Sequence, residues 1–259
     1  MSDLAIITGA SSGIGAALAG RLAAKGHDLL LVARRVERLE ELAASLRSEH
    51  GREVTTLAVD VTAPDALERI QAAAPAPAVL VNNAGLGRFG AATSHPVAEQ
   101  AAVIRLNCEA LTVLTLGFVP GMVERGRGVV VNLGSIAGLQ PVPYYAVYGA
   151  SKAFVHSFSE ALDEELSGTG VRVVTVAPGP VPTEFQEIAG SPDAHETPSY
   201  ALRTPEQIAD AIVGAIERPQ RLVVPARYHW WMHFVQRFVP RSTVTRIAAG
   251  KMRKRVGGS

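Results

Sequence analysis

Short apolar runs alternate along the chain with longer stretches in which apolar residues recur at the spacing of a helix. A run such as Val129–Leu133 is apolar at nearly every position, which is typical of a strand buried on both faces. Such runs predict seven strands, at Leu4–Thr8, Asp28–Ala33, Glu53–Val59, Val79–Asn82, Gly128–Leu133, Val171–Val176 and Arg221–Val224. The stretches between them predict helices near residues 13–25, 35–50, 64–74, 97–124, 146–167 and 205–217.

Strand–helix alternation sustained over this length implies right-handed βαβ units and a parallel sheet. We therefore expect an α/β fold of the Rossmann type, a doubly wound parallel sheet of about seven strands with helices on both faces. Nothing between residues 1 and 225 resembles a linker or a repeat. We predict one dinucleotide-binding and catalytic domain over 1–225, continued by a helical extension over 226–259.

Composition narrows the class of protein. A hydrophobic content of 47% supplies ample material for a core, and Cys108 is the only cysteine. A single cysteine excludes a disulfide within the chain and fits a reducing compartment. The N-terminus enters the first strand without a basic and apolar leader, and no run of about 18 apolar residues follows. We therefore expect a cytoplasmic protein without a membrane-spanning helix.

The C-terminal extension differs from the rest of the chain in charge and aromatic content. Residues 226–259 contain eight basic side chains and no acid, whereas the remainder has 17 basic and 24 acidic side chains. The basic residues are Arg227, Arg237, Arg241, Arg246, Lys251, Arg253, Lys254 and Arg255. Both tryptophans lie on a broad apolar face within 228–239. Two interpretations stay open: the extension covers the substrate pocket or a neighbouring subunit, or residues 228–255 make peripheral membrane contact. Nucleic-acid binding is not expected.

The first strand runs directly into a glycine-rich turn, Thr8-Gly-Ala-Ser-Ser-Gly-Ile-Gly15, which a helical stretch follows. Glycines at Gly9, Gly13 and Gly15 permit a tight turn, close approach of a pyrophosphate and close helix–strand packing. The N-terminus of the helix offers free N–H groups and a positive partial charge to phosphates. No Lys-Ser/Thr pair follows Gly13, so the turn is not a Walker A loop. It predicts a dinucleotide site.

The end of the second strand indicates which dinucleotide binds. An NAD site places an acid there for the ribose 2′-hydroxyl, but this strand ends in Arg34 and Arg35. Guanidinium groups suit a 2′-phosphate, which they can bind with two hydrogen bonds each. We favour NADP(H) over NAD. The alternative is that both arginines open a surface helix and pair with Glu37 and Glu41.

Tyr148 and Lys152 are one turn apart in a helical stretch, so their side chains share one face. A nearby ammonium lowers the pKa of a phenol from about 10 toward neutrality, as a general acid/base requires. Ser135 follows the apolar strand 128–133 and therefore lies at a strand end, where ligands bind in open α/β sheets. Tyr144 and Tyr145 have no lysine four residues on, and we expect Tyr145 at most in the pocket wall.

In these motifs the sequence resembles the short-chain dehydrogenase/reductase family in its ordinary, non-extended form. Thr8–Gly15 matches the family's TGxxxGxG turn, and Asn82–Gly85 resembles its NNAG motif. Asp60-Val61 resembles the segment that contacts adenine, and Pro178–Thr183 the segment at the nicotinamide end. The resemblance covers about residues 3–225, with the motifs in order.

The resemblance implies a catalytic tetrad of Asn107, Ser135, Tyr148 and Lys152. In the family, the tyrosine exchanges a proton with the substrate oxygen, the serine polarises the carbonyl, and the lysine lowers the tyrosine pKa and bonds the nicotinamide ribose. The asparagine holds a water that links the lysine to solvent. The turn, the arginines and the resemblance together assign cofactor binding to Gly9, Ser11, Ser12, Gly13, Ile14, Gly15, Arg34, Arg35, Asp60, Val61, Asn83, Ala84, Gly85, Tyr148, Lys152, Pro178, Gly179, Val181 and Thr183.

The expected activity is NADP(H)-dependent interconversion of a carbonyl and a secondary alcohol. The segments after Asn83, Ser135 and Pro178 would bind the substrate; the first two are mostly apolar, with Arg88 their one charge, which favours an apolar small-molecule substrate. The 184–203 segment is a candidate lid.

The family resemblance implies a homodimer or homotetramer. His229 and His233 lack a third ligand nearby, so no metal site is predicted. The alternative function is a catalytically silent NADP(H)-binding sensor or scaffold.

Overall fold

The computed structural model describes residues 3–191, 201–236 and 238–256, with residues 254–256 described by their backbone alone. Its strands are β1 Leu4–Thr8, β2 Asp28–Ala33, β3 Val54–Ala58, β4 Val79–Asn82, β5 Gly128–Leu133, β6 Val171–Val176 and β7 Leu222–Val223. Its helices are α1 Gly13–Ala24, α2 Val36–His50, α3 Ala66–Ala73, α4 Val97–Ile104, α5 Leu111–Glu124, α6 Ala146–Glu165, α7 Glu184–Ala189, α8 Pro205–Glu217, α9 Arg227–Gln236 and α10 Arg241–Val256.

The seven strands form one parallel sheet in the order β3-β2-β1-β4-β5-β6-β7. The order reverses direction between β1 and β4, and ligands bind in the crevice that such a switch point leaves beyond the carboxyl ends of the strands. The predicted doubly wound Rossmann fold is confirmed. The Thr8–Gly15 turn and the Asn82–Gly85 motif follow β1 and β4, so both border this crevice.

Apolar side chains cover both faces of the sheet and form two cores. One core packs Leu18 and Leu22 of α1, Leu39 of α2 and Ile208 and Ile212 of α8 against the sheet. The opposite core contains the buried side chains of α3, α5 and α6, such as Ile70, Leu114, Phe118, Met122 and Leu162. Burial on both faces explains why the strands are nearly continuous apolar runs.

Sequence and structure differ in a few element boundaries. The predicted strands Glu53–Val59 and Arg221–Val224 shorten to Val54–Ala58 and Leu222–Val223, although Glu53, Val59 and Arg221 each keep one backbone hydrogen bond to the neighbouring strand. Helix α8 begins as the sequence predicts, with a capping box between Thr204 and Gln207. Helix α7 was not predicted. The middle of the proposed lid, residues 192–200, lies outside the described residues.

The predicted helix 97–124 is one continuous run, but its middle is a π turn at Arg105–Ala110 between α4 and α5. By length and mean hydropathy alone this run could cross a membrane. It instead packs on the sheet through Leu114, Phe118 and Met122, which are buried in the second core. The run is therefore a core helix, and Asn107, which lies in its π turn, is buried in the protein interior.

Candidate active site

A cavity of about 580 Å³ lies beyond the carboxyl ends of β1, β4, β5 and β6. It brings together most residues that the sequence assigns to the site: Gly9, Ser11, Ser12, Gly13, Ile14, Arg34, Arg35, Asp60, Val61, Asn83, Ala84, Gly85, Ser135, Tyr148, Lys152, Pro178, Gly179, Val181 and Thr183. Two of the assigned residues, Gly15 and Asn107, do not line it. Packing explains the position of Gly15, and hydrogen bonds explain that of Asn107.

The glycine turn is pressed against the Asn82–Gly85 motif. Gly9 has a φ of 67°, and a Cβ there would lie 2.9 Å from the Cα of Ala84. A Cβ on Gly15 would lie 2.4 Å from the carbonyl oxygen of Gly9. Gly15 therefore allows α1 to pack closely on the turn, and its assignment to cofactor binding stays a prediction.

Hydrogen bonds fix the two motifs to each other. The Thr8 hydroxyl oxygen accepts from the backbone N–H groups of Asn83 and Ala84, at 3.0 and 3.1 Å. The Asn83 amide nitrogen donates to the Thr8 carbonyl at 2.9 Å. No acid stands in the first turn of α1, so the helix N-terminus keeps its positive partial charge. The residues present fit a dinucleotide pyrophosphate.

The two arginines at the end of β2 have different surroundings. The side chain of Arg34 is 78% exposed, and its guanidinium lies 3.8 Å from the Asp60 carboxylate. The Arg35 guanidinium donates to the hydroxyls of Ser11 and Ser12 and to the Glu184 carboxylate. The alternative pairing with Glu37 and Glu41 on α2 is therefore not what holds Arg35.

Lys152 is buried on α6, and its ammonium donates to the carbonyl of Leu133 at 2.6 Å. The ammonium lies 5.8 Å from the ring centroid of Tyr148, so the two side chains share one face of the helix as their spacing predicts. Burial lowers the pKa of Lys152 to about 8. This lysine can therefore lose its proton within the range in which most enzymes work.

Tyr148 is also buried, and burial raises the pKa of its phenol to about 12, while the Ser135 hydroxyl acts in the opposite direction. The lowering of this pKa by Lys152 that the sequence predicts is not found: desolvation of the phenolate raises the pKa, and Ser135 is the group that acts against it. The Ser135 hydroxyl oxygen accepts from the N–H of Ala137 at 3.1 Å, which fixes its orientation beside the phenol.

Asn107 lies on the π turn and is buried behind the cavity. Its amide nitrogen donates to the Leu86 carbonyl and the Ser151 hydroxyl, at 2.8 and 2.9 Å, and its oxygen accepts from the Leu86 N–H at 2.9 Å. Both amide hydrogens are thus used within the protein. The side chain joins the Leu86 loop to α6, a positional role that the sequence did not predict.

Aromatic rings line the end of the cavity around Tyr148. Tyr145 stacks on Tyr148 with ring centroids 4.3 Å apart, and Phe89 meets Tyr145 edge-on at 5.7 Å. Phe185 of α7 lies 5.6 Å from Tyr148. Tyr145 is thus in the pocket wall, as expected. Arg88 points elsewhere, because it pairs with Glu99 at 2.7 Å and donates to two backbone carbonyls.

The backbone that leads into α6 is strained at Tyr144, which has a φ of 64°. A side chain in this left-handed region costs on the order of 1–2 kcal/mol. The Tyr144 carbonyl accepts from the Gly90 N–H at 2.8 Å and so ties the loop after β4 to the start of α6. Such strain is typical of segments that position a functional group.

The C-terminal helices lie over this cavity. Met252 of α10 lines it, and the Arg253 guanidinium donates to the Tyr144 hydroxyl at 3.3 Å. His229 of α9 is buried against Gly179, where a Cβ would lie 2.2 Å from the imidazole Cε1. These contacts favour the first interpretation of the extension, in which it covers the pocket.

Within the described residues, no cluster of three metal-binding side chains occurs, and His229 instead packs on the backbone.

His156 is a site residue that the sequence reasoning missed. It lies one turn after Lys152 on α6, and its Nε2 is 2.9 Å from the Ser135 carbonyl oxygen. Burial lowers the pKa of this imidazole, so it is neutral near pH 7. Its spacing from Lys152 was the available signal, because residues four apart on a helix face the same side.

Comparison with known proteins gives consistent results. A family model described as short chain dehydrogenase matches residues 3–193. The chain is 40% identical to sulfoacetaldehyde reductase 2 of Chromohalobacter salexigens over 260 residues, 92% of this chain and 100% of that one. It is 38% identical to an NADP-dependent 3-hydroxy acid dehydrogenase of Salmonella typhi over 220 residues, 81% of this chain and 87% of that one. A short-chain dehydrogenase from Sphingobium yanoikuyae, solved in complex with NADPH, is similar with a TM-score of 0.81 and 36% identity, covering 91% of this chain and 94% of that one.

Proposed function

The chain belongs to the short-chain dehydrogenase/reductase family, and from this premise we propose that it interconverts a carbonyl and a secondary alcohol with NADP(H), using Tyr148 as the general acid/base. One observation carries the proposal. Tyr148, Lys152 and Ser135 line the same cavity as the glycine turn that fits a dinucleotide. The reactive end of a cofactor and the acid/base group would therefore face one space.

NADP(H) is the cofactor, and when bound it supplies or accepts the hydride. Residues of the glycine turn would hold its pyrophosphate, while Arg34 and Arg35 would hold its 2′-phosphate. Pro178, Gly179, Val181 and Thr183 line the far end of the same cavity and would contact the nicotinamide. Asp60 and Val61 line the cavity at β3 and would contact the adenine.

The proton chemistry follows from burial. A phenol whose pKa is about 12 is fully protonated at neutral pH, so Tyr148 is an acid ready to donate a proton to the oxygen of a carbonyl as it is reduced. The Ser135 hydroxyl beside it can donate a second hydrogen bond to the same oxygen. The Lys152 ammonium, with a pKa of about 8 and 5.8 Å from the Tyr148 ring centroid, would supply positive charge near the phenolate that forms during the reaction.

The substrate that fits this end of the cavity is apolar and uncharged. Its described lining combines Phe89, Tyr145 and Phe185 with the aliphatic side chains Leu86, Leu106, Ile136, Val142, Ile188 and Met252. Among the described residues near Tyr148, Lys152 is the one cation that lines the cavity, and its ammonium is bonded to Leu133. Among the residues that the structure describes, the nearby Arg88 is already paired with Glu99, so it is not free to bind a carboxylate or sulfonate. We therefore propose a hydrophobic ketone or its alcohol.

Three features of the environment remain predictions: a cytoplasmic location, a homodimer or homotetramer, and peripheral membrane contact through 228–255. The last is supported only by exposed aromatic side chains, such as Trp230, Trp231 and Phe238, at and just after α9. The division into a domain over 1–225 and an extension over 226–259 also remains a proposal. The contacts of His229 and Met252 with the cavity support the view that the extension completes that domain.

The test is turnover of a carbonyl panel with NADPH and with NADH by the wild type and Tyr148→Phe. Loss of the general acid is expected to reduce turnover by about 10²–10⁴-fold on the best substrate, with NADPH binding retained. Tyr145→Phe is the matched control, because it removes the hydroxyl of the stacked neighbour and should keep most of kcat. If the wild type binds NADPH tightly and turns over no carbonyl, the sensor alternative is favoured instead.

A further inference from the structure

Three charged side chains, Glu184, Arg35 and Arg38, meet beside the cavity, and the proposed function uses Arg35 but neither Glu184 nor Arg38. Glu184, at the start of α7, accepts from the Arg35 guanidinium at 2.8 Å and also from Arg38. Hydrogen bonds from Arg38 and Arg35 hold the pKa of Glu184 at about 2. Glu184 is therefore an anion at neutral pH, and it joins α7 to the segment after β2.

This cluster sits on the phosphate-binding turn. Arg35 donates to the hydroxyls of Ser11 and Ser12, which belong to the turn itself. Thr183, the residue before Glu184, contacts the turn from the other side, since a Cβ on Gly13 would lie 3.0 Å from its Cγ2. The carboxylate thus occupies donors of the same arginine that the proposed function assigns to the 2′-phosphate.

We propose that Glu184 is an intramolecular competitor of the cofactor's 2′-phosphate, and that binding of this phosphate releases the start of α7. The inference rests on the proposed use of NADP(H). A phosphate carries a charge of about −1.5 to −2 and three acceptor oxygens, whereas a carboxylate carries one charge and two oxygens. The phosphate therefore displaces the carboxylate from Arg35, at the cost of the ion pair.

Release of Glu184 reaches the substrate end of the cavity through α7. Phe185 is the next residue and lies 5.6 Å from the ring of Tyr148. Ile188, one turn later, lines the cavity, and its carbonyl accepts from Arg88 at 2.8 Å. NADH has no 2′-phosphate and leaves the ion pair intact. Glu184 is therefore a specificity-determining residue that couples recognition of the 2′-phosphate to the wall above Tyr148.

The test measures binding of 2′,5′-ADP and 5′-AMP by calorimetry, because these probes differ in the 2′-phosphate and contain no nicotinamide. Glu184→Gln keeps the shape of the side chain and removes its charge. We expect it to bind 2′,5′-ADP about twofold to fivefold more tightly than the wild type, the range that loss of a partly exposed ion pair allows, and 5′-AMP equally well. The gain should shrink at high salt.

Glu187→Gln is the matched control, because it removes the same charge from an exposed position on the same helix. An equal gain in both variants would mean that only the overall charge matters, and would overturn the proposal. Weaker or unchanged binding of 2′,5′-ADP by Glu184→Gln would also overturn it, and weaker binding would mean that Glu184 clamps the cofactor. If the wild type and both variants bind 2′,5′-ADP no better than 5′-AMP, the assignment of NADP(H) itself fails.

Discussion

Burial moves the pKa values of Tyr148 and Lys152 in opposite directions, to about 12 and about 8. The reason is the same for both, because a low-dielectric surrounding disfavours the charged form of each group. A protonated phenol and an ammonium that is near its pKa form a donor pair for reduction. In the oxidative direction the phenolate must accept the proton, and little of it is present at neutral pH, so we expect the rate of alcohol oxidation to be low there.

The pH dependence of reduction should follow Lys152. The ammonium is present below its pKa of about 8 and is lost as the pH rises through that value. We therefore expect kcat/KM for carbonyl reduction to be constant up to about pH 8 and then to fall toward tenfold per pH unit. The measurement is the rate with saturating NADPH from pH 6 to 10.

Lys152→Arg is the control for this profile. A guanidinium keeps its charge throughout this range, so the residual activity of the variant should not decline above pH 8. A wild-type profile that stays flat to pH 10 would contradict the role of the Lys152 ammonium.

At the scale of single residues, the sequence predicted where the site residues lie better than it predicted their pKa values and their partners. The spacing of Tyr148 and Lys152 placed both on one face of α6, and Ser135 joined them because strand ends meet at one edge of a parallel sheet. The direction of the Tyr148 pKa was wrong, since it depends on burial that only the packed structure defines. Glu184 was missed for a related reason: its partners Arg35 and Arg38 lie far away in the chain.

Among the helices, α6 carries the proposed acid/base pair and is fixed to the sheet near its C-terminal end. Asp163 is buried there and accepts from Arg172 of β6 at 2.8 Å and from the Val173 N–H at 2.9 Å. Burial alone would raise the pKa of this carboxyl, but these hydrogen bonds outweigh it and hold the pKa below its ordinary value. Asp163 thus contributes to stability as an anion.

Asp163→Asn should lower the free energy of unfolding by about 1–3 kcal/mol at pH 7, because it leaves a backbone donor and Arg172 with a weaker partner. Urea denaturation measures the change. The Asp163 contribution is present above the unfolded pKa, near 3.8, and is lost as the pH falls through the lower folded value, so the gap between variants should close in acid.

Glu164→Gln is the control for this change, because Glu164 is the exposed neighbour and pairs only at the surface with Arg221. It should cost less than about 1 kcal/mol. Equal losses in the two variants would show that burial of Asp163 is not what matters.

At the scale of elements, the sequence predicted strands and long helices but not their interruptions. Apolar runs located the strands, and they are most continuous in the five inner strands β2, β1, β4, β5 and β6, which are buried on both faces of the sheet. The π turn at Arg105–Ala110 has no signature of its own, because the hydrophobic spacing of 97–124 is that of one helix. Within this π turn, Asn107 makes hydrogen bonds to the Leu86 loop and to Ser151, and these long-range contacts are not visible in the sequence.

Across the whole molecule, the cavity is built from both ends of the chain. Residues near Gly9 line it, and so does Met252 of α10. The topology of the sheet followed from strand–helix alternation, but the position of α9 and α10 did not. Their aromatic and basic sequence is compatible with a pocket cover and with a membrane surface, and tertiary contacts such as His229 with Gly179 favour the cover.

Met252→Trp should narrow the substrate end of the cavity. We expect KM for a bulky ketone to rise by about 10-fold or more, with little change for a small carbonyl, because the added ring occupies space only the larger substrate needs. Steady-state kinetics with a matched pair of substrates measures this difference.

Ile247→Trp is the control for that experiment, because it places the same ring on an exposed position of α10. The assignment of Met252 to the wall would be wrong if both substrates were affected equally, or if Ile247→Trp gave the same discrimination.

The wall that Met252 supplies also sets an order of events during biosynthesis. Translation adds roughly 5–20 residues per second, so the stretch from Lys152 to Met252 takes about 5–20 s to emerge. The glycine turn and the arginines after β2 are made before this stretch, whereas α10, which adds Met252 to the cavity wall, is made last. The turn proposed to bind the pyrophosphate is therefore synthesised well before the last part of the wall proposed to select the ketone.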